Sequence, residues 1–220
     1  MSAKKCATNK PESAHCLDSP PLSLSVFSHL RNLDFSHVKT YSIATRQSKV
    51  SIQDFSDPIG WERTGDLLAL FPNILKGNEL KDIILSIIQA VNRNKPVILG
   101  MGAHVIKCGL NRIIIDLMEK KIISALALNG AGAIHDFELA LTGSTSEDVA
   151  AELGEGKFGM VEETPTLINK AFEKYVAGDV GLGEALGRYI SESKLPNLQI
   201  SLLARAYNLR LPVTIHVGIG

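Results

Sequence analysis

Three apolar runs of the sequence each carry or directly precede a histidine, and two of them first break at a glycine cluster. VILGMGAH ends at His104, ALALNGAGAIHD contains His135 and LPVTIHVGIG contains His216. In a parallel α/β sheet, the strand ends that face one edge collect the ligand-binding groups. We therefore expect the two glycine loops and these histidines to lie on one shared rim.

The glycine clusters Gly100-Met101-Gly102 and Gly130-Ala131-Gly132 each lie between a predicted strand and a predicted helix. Backbone amides and a helix N-terminus can hold a phosphate group in such a place. Neither cluster has the spacing G-x-G-x-x-G, because the third glycine is missing from both. Phosphate binding and an ordinary tight turn are both open, and the spacing alone favours the turn.

The three histidines could also bind a metal ion, with Asp136 beside His135 as a further ligand. No H-x-H, H-E-x-x-H or C-x-x-C spacing supports such a set, and we predict no metal site. A histidine at a strand end can instead hydrogen-bond a ribose or cap a turn. For at least one of the three, the alternative of a structural histidine with its hydrogen bonds satisfied is equally well supported.

Lys107 and Cys108 follow His104 in what we predict to be the first turn of the next helix. Either side chain could act there as a nucleophile. The alternative, which we favour, is that Lys107 is solvated and Cys108 is a small core residue. No Ser-His-Asp or Cys-His signature accompanies them.

Hydrophobic spacing predicts the elements that position these residues. Asn78 is the predicted N-cap of a helix with a wide buried face, whose members are Leu80, Ile83, Ile84, Ile87, Ile88 and Val91. VILG, apolar on both faces like a central strand, is followed by a helical repeat from Leu110 to Met118 and by the strand-like IISALALNG. Strand, helix and strand within about 35 residues form a βαβ unit, which makes the sheet parallel.

The chain beyond Asp136 is predicted to be helical as far as about residue 200, before a last strand near 212–218. Ser144 and Glu147 form a predicted capping box for a helix that ends near Gly154. Thr164 and Pro165 mark the start of a second helix, and two further helices are predicted over 181–190 and 200–209. This helical insertion lies on the strand-end side, where a lid or a subunit contact could form. The other strands are predicted near 97–101 and 122–129, with shorter β-like pieces at 38–44 and 49–52.

Composition limits the class of protein. The 220 residues are 45% hydrophobic, with 23 basic and 23 acidic side chains and no net charge. Such a chain can bury a core, and it has no excess charge to attract nucleic acid or an anionic membrane, so we predict neither partner. The three cysteines form no disulfide framework, and no apolar run reaches the roughly 18 to 20 residues that span a bilayer. We expect a cytoplasmic protein with a disordered tail at 1–21 and a single α/β domain at 22–220.

From Gly100 onward the sequence resembles the deoxyhypusine synthase family, and more closely a bacterial deoxyhypusine-synthase-like branch of it. The family pattern G-x-T-S-N-L-I-S-S-G-I-R lies without gaps on residues 100–111, and the motif T-T-A-G-G-V-E-E-D lies on residues 128–136. The I-P-V strand of the family matches Leu211-Pro212-Val213. The resemblance covers about half of the chain.

The resemblance implies a Rossmann-like parallel sheet with flanking helices that binds NAD. In the family, NAD accepts a hydride from a polyamine, and an enzyme lysine passes the aminobutyl group to an acceptor amine. Family members build their sites at subunit contacts, which implies a homo-oligomer. Carried over residue by residue, the cofactor-binding positions are Gly102, Ala103, His104, Lys107, Asn129, Gly130, Ala131 and His135.

The residues at these positions differ in part from those of the family. Ala103 and His104 stand where the family has Ser and Asn, and Asn129 and His135 stand where it has Thr and Glu. Backbone amides are unaffected by such changes, so another nucleotide or metabolite is an alternative ligand.

The family's polyamine-binding acids, the second half of its sheet and its catalytic lysine all follow the strand that matches residues 211–219. This sequence stops at Gly220. We therefore expect a C-terminally incomplete fold, no activity of this chain alone and no assignable catalytic residue. Whether the chain is an enzyme stays open. The alternatives are a non-catalytic nucleotide-binding or regulatory subunit of an oligomer, and a metal-dependent hydrolase that uses His104, His135 and His216.

Overall fold

The sheet that carries the glycine loops has three parallel strands. A computed structural model describes residues 38–55, 75–154, 156–176 and 180–218. The strands in chain order are β1 (Ser48–Ser51), β2 (Ile98–Met101), β3 (Ala125–Asn129), β4 (Ser144–Glu147) and β5 (Val213–His216). Strands β2, β3 and β5 are hydrogen-bonded in that order, and both pairs are parallel. The protein is a mixed α/β fold, and the three predicted parallel strands are confirmed.

Helices connect and cover these strands. In chain order they are α1 (Leu75–Asn92), α2 (Ala103–Lys107), α3 (Asn111–Glu119), α4 (Gly130–Thr142), α5 (Val149–Leu153), α6 (Glu163–Tyr175), α7 (Leu182–Glu192) and α8 (Leu202–Leu209). Short 3-10 turns occupy Ile43–Thr45, Ile52–Asp54 and Leu198–Ile200. The helices predicted after Thr164, over 181–190 and over 200–209 are confirmed as α6, α7 and α8, with ends shifted by a few residues.

The core lies between the sheet and the helices α4, α7 and α8. Its largest fully buried apolar side chains are Phe137, Ile106, Leu126, Leu128, Leu139, Leu186, Ile190, Leu202 and Leu203. Burying a side chain of this size stabilises the fold by about 1.5–3 kcal/mol. Helix α4 contributes Phe137 and Leu139 to this core on two different sides, so packing holds the helix in place from both.

Helix α7 approaches the backbones of β5 and α8 closely at two glycines. A Cβ atom on Gly183 would overlap the carbonyl oxygen of Val213 in β5, and one on Gly187 would overlap the carbonyl oxygen of Leu203 in α8. Both glycines are therefore required by the close approach of backbones rather than by a turn.

Strand β2 is less buried than predicted. Ile98 is 65% exposed and Leu99 is half-buried, whereas Leu126 and Leu128 of the central strand β3 are buried. The prediction that VILG is a central strand covered on both faces is wrong: among the described strands β2 has β3 as its one neighbour, and the face that carries Ile98 is exposed. Ile98 also lies on a face that the described helices leave open.

Helix α1 is confirmed, but its predicted buried face is wrong. Ile83 is 57% exposed and Ile88 is 48% exposed, while Ile84 and Ile87 are half-buried. Periodic spacing determines which face of a helix is apolar, but it does not determine whether another element covers that face. The helix also includes residues before Asn78, which is therefore not its N-cap.

Strand β4 occupies the place of a predicted helix start. Ser144 and Glu147 do not form a capping box, because β4 pairs antiparallel with β1, opposing Ser48 to Glu147. Helix α5 begins later and is capped by Asp148, whose carboxylate accepts hydrogen bonds from the backbone N–H groups of Ala150 (3.0 Å) and Ala151 (3.3 Å). The insertion between β3 and β5 is therefore not purely helical.

The segment before β1 is mostly irregular. The β-like piece predicted at 49–52 is confirmed as β1, whereas the piece predicted at 38–44 forms one isolated bridge, from Tyr41 to Val161, and a 3-10 turn. The disordered tail predicted at 1–21 lies outside the described residues. Within the described residues, none of the helices has the length and apolar character that a bilayer crossing demands.

Candidate functional site

The two glycine loops meet at the carboxyl ends of β2 and β3. The side-chain Oδ1 of Asn129 accepts a hydrogen bond from the backbone N–H of Gly132 at 2.8 Å and so caps α4. A Cβ on Gly102 would lie 3.3 Å from Nδ2 of Asn129, and a Cβ on Gly132 would lie 3.3 Å from its Oδ1 and 3.8 Å from the backbone N of Ala103. The structure therefore brings together Gly102, Ala103 and Asn129, three of the residues predicted to bind a cofactor.

Strand β5 ends at the same edge. His216 is the register partner of Asn129, and a Cβ on Gly130 would lie 3.3 Å from Cγ1 of Val217. The Nε2 atom of His216 is 2.9 Å from the hydroxyl of Thr214. We call this edge the rim; it is formed by Gly102, Ala103, Asn129, Gly130 and His216.

The rim is open to solvent around the first turns of two helices. Asn129 is exposed, and so are His104 near the start of α2 and Ala131 near the start of α4. The positive end of the 13-residue helix α4 lies at this edge, which favours a negatively charged group there.

Lys107 and Cys108 do not lie where the sequence placed them. Helix α2 is five residues long, so Lys107 is its last residue and Cys108 its C-cap rather than members of its first turn. Cys108 is an exposed free thiol, and the interpretation of it as a core residue is wrong. The positive end of α2 therefore acts on neither side chain.

Lys107 and His135 line a cavity rather than the rim. The cavity has a volume of about 520 Å³ and lies among α2, α4, β4 and α6. Arg46, Glu138 and Glu147 supply its other charged side chains. We call it the His135 cavity. The predicted cofactor-binding residues are therefore divided between two places.

A buried ion pair lies at the His135 cavity. Arg46 donates from Nη1 to Oε1 of Glu138 at 2.9 Å and from Nη2 to Oε2 at 3.0 Å, and both side chains are at most 5% exposed. Nη1 of Arg46 also lies 3.5 Å from Oε1 of Glu147. Two parallel charge-assisted hydrogen bonds fix the orientation of the Glu138 carboxylate.

Two threonine hydroxyls complete the surroundings of Glu138. Thr164 donates to Oε1 at 3.1 Å, and Thr145 donates to Oε2 in a short hydrogen bond. Burial alone would raise the pKa of Glu138, but the interactions with His135, Arg46 and Thr145 outweigh it and lower the pKa to about 2. Glu138 is therefore ionised at neutral pH and acts as an acceptor for all four donors.

These hydrogen bonds determine the tautomer of His135. Its Nδ1 lies 2.6 Å from the hydroxyl oxygen of Thr145. That hydroxyl has one proton, which it donates to the ionised Glu138, so it can only accept from His135. Nδ1 therefore carries a proton whether the ring is charged or neutral, and Nε2 is the nitrogen that gains or loses one.

Asp136, next to His135, points the other way and has a structural role. Its fully buried carboxylate accepts hydrogen bonds from the hydroxyl of Ser201 (2.6 Å), the backbone N–H groups of Leu202 (2.7 Å) and Leu203 (3.1 Å) and the side-chain amide of Asn111 (3.2 Å). Burial raises its pKa to about 6, although these donors oppose the rise. Asp136 thus joins α4 to α3 and to the N-terminus of α8.

Sequence reasoning missed Arg46, Glu138, Thr145 and Thr164. Glu138 follows His135 by three residues on one helix, a spacing that places both on the same face and could have suggested a shared site. Arg46 and Thr164 come from distant segments, and no local pattern marks them.

Metal ligands are not brought together. Within the described ranges, no three His, Cys, Asp or Glu side chains are placed to hold one metal ion. His104 is exposed, His216 is bonded to Thr214 and His135 is bonded to Thr145. A metal-dependent hydrolase therefore has no ligand cluster here to support it.

Comparison of the chain with protein-family models and with curated proteins found no match. The rim and the His135 cavity are therefore the two features of the molecule from which we infer a function.

Proposed function

We propose that this chain is a nucleotide-binding α/β protein and that NAD is the nucleotide. The observation that supports this most directly is the contact of two glycine loops through Asn129 at the carboxyl edge of a parallel sheet. A side chain on Gly102 or Gly132 would press on the side chain of Asn129, and with glycine at both positions the backbone itself forms the surface near the start of α4. Backbone amides and the positive end of a helix are the groups that bind a pyrophosphate.

The order of the strands is compatible with one half of a Rossmann-like fold. β2, β3 and β5 follow one another in the sheet as they do in the chain, and all run in one direction. In doubly wound sheets, dinucleotides bind at the carboxyl edge next to the first of such strands. The edge of β2 that none of the described strands covers, beside Gly102, is the corresponding position here.

The proposed activity is that of a deoxyhypusine-synthase-like transferase scaffold. Bound NAD would accept a hydride from a polyamine, whose aminobutyl group would then pass to an acceptor amine. The resemblance of residues 100–111 and 128–136 to family motifs supports this proposal, as does the position of Gly102, Ala103, Asn129 and Gly130 together at the rim. His104 and Ala131 border the rim.

Titration of the chain with NAD, followed by isothermal calorimetry, tests the nucleotide site. Ala131→Glu places a carboxylate in the exposed first turn of α4, where it repels a pyrophosphate but is favourable to the helix itself. We expect it to weaken NAD binding at least about tenfold, whereas the uncharged Ala131→Gln has the same length and leaves binding within about twofold. Wild-type protein that binds neither NAD nor ADP at millimolar concentration would contradict the proposal.

The transferase part has a separate test. NADH formation is followed when spermidine is added to the chain saturated with NAD. If wild-type protein forms NADH and the Ala131→Glu variant does not, the result supports polyamine oxidation at the rim. NAD binding without NADH formation would favour the non-catalytic nucleotide-binding subunit instead.

A homo-oligomer is favoured by the apolar residues that stay exposed. Ile83, Leu85 and Ile88 of α1 are 57%, 53% and 48% exposed, and Ile98 of β2 is 65% exposed. Large apolar side chains that stay exposed are often found in subunit contacts. We expect sedimentation to give a mass above that of one chain, and Ile83→Lys to lower it. We also propose the cytoplasm as the compartment of such a protein.

A further inference from the structure

The His135 cavity has the size and wall of a small-molecule site. Its volume of about 520 Å³ falls within the roughly 300–1,000 Å³ of known ligand pockets. The apolar side chains that line it are Ile134, Val149, Phe158, Val161, Pro165 and Ile168. Val149 and Phe158 are 47% and 44% exposed, so the wall extends to the solvent. A ligand with an apolar body matches this wall.

One charge at the cavity is available to a ligand. Arg46 is paired with Glu138 and Glu147, and Oε2 of Glu147 also accepts from the backbone N–H of Gly159 at 2.8 Å. Lys107 has no hydrogen-bond or ion-pair partner in the part of the chain that the structure describes. The other three charges sum to one negative charge, but both carboxylates are already held, Glu138 by Arg46 and Glu147 by Arg46 and the N–H of Gly159. The ammonium group of Lys107 is therefore the group left to bind an anionic group on the ligand.

His135 contributes an acceptor. Its side chain is 19% exposed, and its Nδ1 is turned towards the buried hydroxyl of Thr145. The exposed side of the ring is therefore the one that carries Nε2. No described residue hydrogen-bonds to Nε2, and the chain of bonds through Thr145 to Glu138 keeps the other proton on Nδ1.

We propose that the His135 cavity binds a small molecule with an apolar body, an acidic group held by Lys107 and an O–H or N–H group that hydrogen-bonds to Nε2 of His135. The proton of that group can pass to Nε2, which leaves an imidazolium and a deprotonated ligand atom; no other reactant takes part. The cavity site does not depend on nucleotide binding at the rim.

The tautomer is tested first. In the full chain labelled with ¹⁵N-histidine, two-bond nitrogen–proton spectra distinguish Nδ1–H from Nε2–H, and His135→Gln assigns the signal. We expect the Nδ1–H form in wild-type protein and a shift towards Nε2–H in Thr145→Val, which cannot accept from the ring. An Nε2–H pattern in the wild type would overturn the proposal.

Anilinonaphthalene sulfonate tests the ligand, because it has an apolar body, a sulfonate and an N–H group. Phenylnaphthylamine is the same molecule without the sulfonate. We expect the sulfonate to bind more tightly and to shift the His135 signal. Lys107→Gln should weaken its binding about tenfold and leave phenylnaphthylamine unaffected, while the control Lys170→Gln changes neither.

Two results would contradict the proposed site. In the first, anilinonaphthalene sulfonate leaves the His135 signal unchanged; in the second, the Lys107→Gln variant binds this probe as tightly as wild-type protein does. Circular dichroism of each variant confirms that the comparison is made on folded protein.

Discussion

Arg46 and Glu138 are 92 positions apart in the chain, and their side chains form a bidentate ion pair that is almost fully buried. The pair joins the segment before β1 to helix α4, which also carries His135. It therefore serves the fold and the His135 cavity at once: the same carboxylate that neutralises Arg46 orients the hydroxyl of Thr145.

Removal of one partner of this pair should be costly. Glu138→Ala leaves the guanidinium of Arg46 buried without its main acceptor, and we expect a loss of about 3–5 kcal/mol in the free energy of unfolding, measured with urea. The double variant Arg46→Met with Glu138→Leu replaces both charges by apolar groups and should recover much of that loss. A single variant that costs less than about 1 kcal/mol would show that the pair is not buried.

The contribution of Glu138 should disappear in acid. Its folded pKa of about 2 is below the ordinary value of 4.5, so the folded state binds fewer protons than the unfolded state between these values. The stabilisation is complete above about pH 4.5 and is lost as the pH falls through 2. The difference in unfolding free energy between wild type and Glu138→Ala should therefore shrink over that range. A constant difference down to pH 2 would contradict this.

Asp136 should have the opposite effect of pH. Its folded pKa of about 6 exceeds the ordinary 3.8, so the folded state holds more protons between these values. Through this group, the free energy of unfolding increases as the pH falls from about 6 towards 4. Asp136→Asn removes the effect, and its difference from wild type should grow over that range in urea titrations. Ser201→Ala keeps the carboxylate but removes a donor that lowers its pKa, so the dependence should keep its direction and extend to higher pH.

Gly183 and Gly187 should not tolerate a methyl group. Alanine at either position overlaps a backbone carbonyl oxygen of β5 or α8, which cannot move like a flexible side chain. We expect each variant to lose about 1–3 kcal/mol and to melt at a lower temperature. Gly154→Ala is the matched control, because a Cβ there meets nothing within 4 Å and the backbone is already helical, with φ of −63°. If all three variants melt alike, α7 does not pack as closely as described.

The parallel sheet was predictable because each of its strands is marked by residues that are close together in the sequence. Each parallel strand is a short apolar run that ends at a glycine or a histidine, and the cap that Asn129 makes on Gly132 depends on residues three apart. Ser144 and Glu147 show where local information fails. Their spacing suits a capping box, but pairing with β1 satisfies the same backbone groups and prevails.

The surroundings of His135 could not be predicted for a related reason. Arg46 and Thr164 belong to the site only because they contact Glu138, and they lie 92 and 26 positions from it in the chain. Helix α1 shows a different limit of prediction from sequence. The spacing of its apolar residues predicts which face is apolar, but whether that face is buried depends on the elements that pack beside it.

The long separation between Arg46 and Glu138 also has a consequence for the order of folding. Closing a loop of that size costs entropy that is recovered only when distant segments dock, so contacts of this kind tend to form late. The antiparallel pairing of β1 with β4 brings Arg46 to α4 across the same interval. A chain that has assembled its parallel sheet but not this strand pair would contain His135 on its helix, while the Glu138 carboxylate would still lack its ion pair with Arg46. Proton transfer at Nε2 would thus be confined to molecules that have completed the last step of folding.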